Sequence, residues 1–338
     1  DHTKTLMQLC TDGGYFQRGT NCGYGPLGME LRKNILEQWW NSVIGSRLLT
    51  LRTYVKYFPR ELSKDQLTQK LQPLIQNSAS VRTSLFQGVL EQYVPSLELV
   101  NRNLPFGLAE TGLCFQPSGE SAKSCISLNS ISALLLVAVI LLSLPLTPNL
   151  CPFLAAQMKL PRASRGVSPY FFVCHSQCRD GRKPVVPYAV SITGNVERGL
   201  LAYLYNSFQQ VKKVDSKQRL QQRKVLKFHP ILSPVKVALD MGRGATVELR
   251  QVCESLLQEF LEGGVSAWPG YLETMPTSME QLNIKYDEMG VLFTVISDNM
   301  LESGLLQVRS RDTTIKETMH ISEVKKFLRR TYEPMREL

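Results

Sequence analysis

The sequence holds no residue set from which spacing alone assembles a catalytic centre. Only four histidines serve 338 residues, and His229 and His320 stand without a carboxylate or nucleophile beside them in the chain. They read as ordinary histidines rather than general bases. No nucleophile triad, phosphate loop or metal cluster occurs. Cys174, His175 and Cys178 lie close together, but zinc takes four ligands and no second pair follows at usable spacing. No metal and no cofactor is therefore expected. A dense disulfide framework is also missing. The eight cysteines (Cys10, Cys22, Cys114, Cys125, Cys151, Cys174, Cys178 and Cys253) are scattered, which favours reduced thiols and an intracellular compartment. Charge is absent from Ser124 to Met158, and Ile131 to Leu146 is almost continuously apolar. A membrane-spanning helix needs about 20 such residues, and Pro145 and Pro148 interrupt this run.

What is present is an uneven charge. Lys and Arg number 39 against 29 Asp and Glu, a net charge of +10. Residues 231–338 carry 12 basic and 16 acidic side chains, so residues 1–230 carry 27 and 13. A polyanionic partner is expected to meet the first two thirds of the chain. The run KKVDSKQRLQQRKVLK, from Lys212 to Lys227, holds seven basic residues and one acidic: Lys212, Lys213, Lys217, Arg219, Arg223, Lys224 and Lys227 against Asp215. Arg179, Arg182 and Lys183 make a second cluster. Such runs neutralise phosphates without reading sequence, and the competing reading is a solvated helix face.

Periodicity organises the rest. A glycine-rich stretch from Gly13 to Gly28 leads into a helix with Leu31, Ile35, Trp39 and Val43 at helical spacing. Ser63 and Gln66 form a capping box for a helix to about Gln76, with Leu67 and Leu71 on one face. A second helix carries Leu85, Val89 and Tyr93 and is predicted to kink or end at Pro95. From Leu232 onward short apolar strands alternate with capped helices: strands at 235–239, 265–268, 291–296 and 305–308, and helices opened by Thr246 and Ser278 and from about Ser322 to Tyr332. A turn at Ser303 and Gly304 is read as joining two strands. The pattern predicts an α/β domain with a mixed sheet.

Four segments carry a family resemblance. YGPLGMELRKNILEQWW (24–40) resembles motif 1 of glycyl-type class II aminoacyl-tRNA synthetases, LPFGLAETGLCF (104–115) the strand leading into motif 2, and VPYAVSITGNVERGLLAYLY (186–205) motif 3. The last hundred residues, with GGVSAWPGY and LNIKYDEMGVLFTVI, are similar to the class IIa anticodon-binding domain. The implied fold is α/β and α+β. A class II synthetase-like antiparallel-sheet domain (1–60 and 105–230) carries a helical dimerisation insertion (61–104) and is followed by a mixed-sheet anticodon-binding-like domain (231–338). Motif 2 departs from the family: Gln116 and Ser118 stand where an F-R-x-E pattern would clamp ATP, while motif 3 keeps Arg198. The resemblance lapses between 119 and 178.

Among synthetase relatives without the active site, the segments AWPGYLETM and VRSRDTT are similar to accessory subunits of mitochondrial DNA polymerase. That resemblance implies a non-catalytic processivity subunit of the matrix nucleoid. Its partners would be duplex or primer-template DNA, the catalytic subunit and a second copy of itself. Expected DNA contacts are Arg179, Arg182, Lys183, Lys212, Lys213, Lys217, Arg219, Arg223 and Lys224. Expected dimer contacts are Leu67, Leu71, Leu85 and Val89, and expected partner contacts are Gly304, Arg309 and Arg311. The other readings are a working glycyl-type synthetase and a membrane-anchored regulator using 131–146.

Overall fold

The computed structural model describes residues 2–17, 23–41, 54–57, 85, 89, 92–104, 106–115, 132–142, 178–180, 182–185, 188–214, 220–242, 246–273, 278–297 and 300–332. In chain order the helices are α1 (His2–Asp12), α2 (Pro26–Trp39), α3 (Tyr93–Leu99), α4 (Val196–Ser207), α5 (Val247–Glu262), α6 (Met279–Glu288), α7 (Met300–Ser303) and α8 (Ile321–Tyr332). The strands are β1 (Tyr54–Tyr57), β2 (Phe106–Phe115), β3 (Ser132–Leu142), β4 (Cys178–Asp180), β5 (Lys183–Val185), β6 (Tyr188–Asn195), β7 (Phe208–Val214), β8 (Leu220–Leu226), β9 (Val237–Asp240), β10 (Ala267–Trp268), β11 (Phe293–Ile296), β12 (Leu305–Ser310) and β13 (Lys316–His320). The chain forms two compact units, residues 1–35 with 201–338, and residues 36–200.

In the unit of residues 36–200, a four-stranded sheet runs β1-β2-β3-β6. β1 lies parallel to β2, and the other pairings are antiparallel. The uncharged apolar run becomes β3, bonded along both edges, from Phe115↔Ser132 on one side to Leu142↔Tyr188 on the other. This corrects the membrane-span reading. Val137, Val139 and Ile140 are β-branched and suit a strand, and no helix among the described residues is long and apolar enough to cross a bilayer.

Leu85 and Val89 are 0% and 1% exposed, and they pack with Tyr93, Leu97, Val100, Leu104, Phe106, Leu108 and Cys114. They therefore belong to this unit's own core, against β2. The dimer-contact expectation for these two residues is corrected: an amphipathic pattern shows which face is covered but not what covers it. Leu67, Leu71 and the Ser63 capping box lie outside the described residues. The expected break at Pro95 falls earlier, at Gln92, and Pro95 sits in the first turn of α3, where its missing N–H leaves no bond unmade.

In the unit of residues 1–35 and 201–338, a five-stranded mixed sheet runs β10-β9-β11-β12-β13. Its core holds Val237, Leu239, Val295, Leu306 and Val308 from the sheet, with Cys253, Leu256 and Phe260 of α5 and Val324 and Leu328 of α8. Thr246 Oγ1 accepts the Leu249 amide at 3.2 Å, and Ser278 and Gln281 close the expected capping box. The N-terminal segment closes onto the same unit. Tyr15 Oη donates to Met289 O (2.8 Å), and Asn34 Nδ2 donates to Ser233 O (3.2 Å). A Cβ on Gly28 would overlap the Tyr15 carbonyl, which gives the GPLG glycine its physical reason.

Candidate nucleic-acid interface

The described parts of the basic run from Lys212 to Lys227 are paired strands, not a helix face. β7 and β8 pair antiparallel from Phe208↔Leu226 to Val214↔Leu220. Phe208 and Leu226, an opposed pair, are buried on one face of the ribbon, and Val225 is buried on the other. Lys212 and Lys213 lie on β7, Lys224 is half-buried on β8, and Lys227 beyond it is exposed. Lys217 and Arg219 lie outside the described residues.

Arg223 is not a surface cation. Its guanidinium is ion-paired to Asp287 of α6, a carboxylate with 1% exposure, and its own side chain is 15% exposed. Arg309 of β12 grips the same carboxylate with two bonds, Nη1 to Oδ1 at 3.1 Å and Nη2 to Oδ2 at 3.0 Å. Burial lowers the pKa of both guanidinium groups, and for Arg223 repulsion from Arg309 adds to it. Arg309 is 5% exposed, so its expected partner-facing role is corrected: it clamps α6 to β12 and, through Asp287, to β8.

Arg311 is corrected in the same way. At 3% exposure it donates to Leu226 O (3.1 Å), Gly290 O (3.0 Å) and Phe228 O (2.7 Å), and its Nε meets Asp312 (2.9 Å). It ties the end of β8 to the turn after α6. Asp287 was missed as the hub because its partners are 64 and 22 residues away. The only signal was a carboxylate on the side of a helix whose other inward residues, Leu282 and Tyr286, are apolar or aromatic.

Gly304 ends the one-turn α7 rather than joining two strands directly. Its φ is +67°, and a Cβ there would lie 2.9 Å from His320 Nε2. His320 Nδ1 accepts the Ser322 amide (3.3 Å), and Gly304 O accepts the Ile321 amide (3.0 Å), so the glycine abuts the start of α8. Gly304→Glu is expected to cost about 1–3 kcal/mol, from left-handed strain and displacement of His320. Gly304→Ala should show the strain without the charge. Calorimetry on both variants checks this, and an unchanged melting temperature for both refutes it.

In the other unit, Arg179, Arg182 and Lys183 are all exposed on the β4–β5 hairpin, whose register is Arg179↔Pro184 and Asp180↔Lys183. Arg198 is exposed in the first turn of α4, its amide capped by Asn195 Oδ1 (3.0 Å). Gln116 and Ser118 lie outside the described residues, as do Cys174 and His175. Among the described residues no group of three or more His, Cys, Asp or Glu is placed to hold a metal ion. Burial pushes the Cys10 thiol up to about 12 and raises Cys253, so neither is a ready thiolate.

The family model "Anticodon binding domain" matches residues 235–331, the mixed sheet and its helices. Glycine-tRNA ligase of Bacillus anthracis is 28% identical over 42% of this chain and 29% of its own length. DNA polymerase subunit gamma-2 of Bos taurus is 39% identical, covering 96% of this chain and 81% of its own length. The Xenopus laevis protein named DNA polymerase subunit gamma-2, mitochondrial, is also 39% identical, over 90% of this chain and 80% of its own. With that identity sustained along nearly the whole sequence, the chain belongs to the DNA polymerase subunit gamma-2 family.

Proposed function

We propose that this chain is a non-catalytic accessory subunit of the mitochondrial DNA polymerase, holding duplex DNA and the catalytic subunit together as a homodimer in the matrix nucleoid. The 39% identity over 96% of the chain to a polymerase subunit carries the reading. The exposed cations of the β4–β5 hairpin and the lysines of the β7–β8 pair support a phosphate-binding role. Residues 1–60 with 105–230 are assigned to a synthetase-like domain, 61–104 to a dimerisation insertion and 231–338 to an anticodon-binding-like domain. Gln116 and Ser118 in place of the ATP clamp argue against adenylate formation. The net negative charge of residues 231–338 suits a basic protein partner better than RNA.

Lys212, Lys213 and Lys224 replaced together by Ala should weaken duplex binding and reduce its salt dependence, the log–log slope falling by about one for each phosphate no longer neutralised. Arg223 is left in place because it pairs with Asp287. An unchanged slope removes these strands from the DNA surface. ATP-pyrophosphate exchange catalysed by the chain would overturn the non-catalytic reading, and failure to raise processivity of the catalytic subunit would overturn the accessory role.

A further inference from the structure

α3 ends in two successive non-glycine residues in the left-handed region, Asn101 (φ 51°) and Arg102 (φ 59°). Asparagine visits this region readily, but arginine pays about 1–2 kcal/mol for it. Such backbone persists where surrounding bonds over-determine it, and it clusters at binding sites. The bonds here are specific. Arg102 N donates to Leu97 O (2.7 Å) and Asn103 N to Val100 O (3.0 Å), closing the helix end. Arg179 N then donates to Arg102 O (2.7 Å), and Leu104 N donates back to Arg179 O (3.0 Å). Asn103 and Arg179 thus form a parallel bridge between segments far apart in sequence.

The result is a set of four exposed cations, Arg102, Arg179, Arg182 and Lys183, on one stitched stretch of backbone, with Arg179 on one face of the β4–β5 ribbon and Lys183, opposite Asp180, on the other. The acids on the same elements are Glu98 and Asp180, so positive charge prevails. None of the four cations is ion-paired among the described residues, unlike Arg223 and Arg309. Sequence clustering misses Arg102 because it stands alone in VNRNLPFG.

We propose that Arg102 contacts the sugar-phosphate backbone of duplex DNA and that the left-handed turn holds it beside Arg179, to which its backbone is bonded. This rests on the duplex-binding reading above. Backbone held in place by these bonds loses little loop entropy when it engages phosphates, and phosphate contacts position a duplex without reading bases.

The decisive variant is Arg102→Gly, because glycine takes a positive φ without strain. The full chain carrying it should melt no lower than the parent, yet bind a short duplex more weakly with a log–log salt slope reduced by about 0.9. Arg102→Gly combined with Arg179→Ala should reduce the slope by about twice as much. A folded Arg102→Gly protein with the parent's affinity and slope overturns the proposal while leaving duplex binding by the chain intact. A parent protein that does not bind duplex overturns both. A variant that loses tRNA binding but keeps duplex binding overturns the assignment of Arg102 to DNA.

Discussion

Replacing Asp287 by Asn is expected to destabilise the unit of residues 1–35 and 201–338 by about 3–5 kcal/mol, the usual cost of removing one member of a buried ion pair. The carboxylate faces two guanidinium groups, and neither can be deprotonated to escape. Asn has a single carbonyl oxygen and cannot accept both forks, so the buried Arg309 and the half-buried Arg223 lose their counter-charge. Urea unfolding measures the loss as a lower midpoint with an unchanged slope. Replacing Asp287, Arg223 and Arg309 together by apolar residues of similar volume should recover much of it, since a buried ion network is often no better than good apolar packing. A midpoint unmoved by Asp287→Asn would mean that water reaches this carboxylate.

Val89→Lys should unfold the unit of residues 36–200 rather than yield tidy monomers. Val89 is 1% exposed against the β2 side of the sheet, and a lysine there must either bury an ammonium without a partner or lose its proton. The expected cost is about 3–5 kcal/mol. Leu85→Ala, at 0% exposure, should cost about 2–5 kcal/mol through transfer and cavity terms. Circular dichroism and sedimentation together decide the matter. A folded Val89→Lys protein that sediments as a monomer would return this residue to an interface.

Local rules were legible in the sequence because their physics is local. Thr246 and the Ser278–Gln281 pair close their caps within three residues, and Gly263 follows α5 where the apolar period stops. β13 was missed because Lys316–His320 lies at the sheet edge with four of its five side chains exposed, so no apolar alternation marks it. Arg309 and Arg311 read as surface cations since charge alone does not say whether a counter-charge waits in the fold. Their partners, Asp287 and the carbonyls of Leu226, Phe228 and Gly290, come together only in three dimensions. The same distance hid Arg102, whose significance comes from a backbone bond to Arg179.

The placement of β3 bears on how the chain is made. Its first partner, Phe106–Phe115, leaves the ribosome before it, but the second, Tyr188–Asn195, follows only about 50 residues later, which takes a few seconds of translation. During that interval Ser132–Leu142 presents an uncharged, proline-free apolar strand with one edge unsatisfied, the composition that drives intermolecular strand addition. Once Tyr188–Asn195 zips on, the hazard is sealed inside the sheet. Newly made chains are therefore most in need of a chaperone while residues 143–187 are emerging, and substitutions that slow docking of the closing strand should lower soluble yield more than they lower the stability of molecules that finish folding.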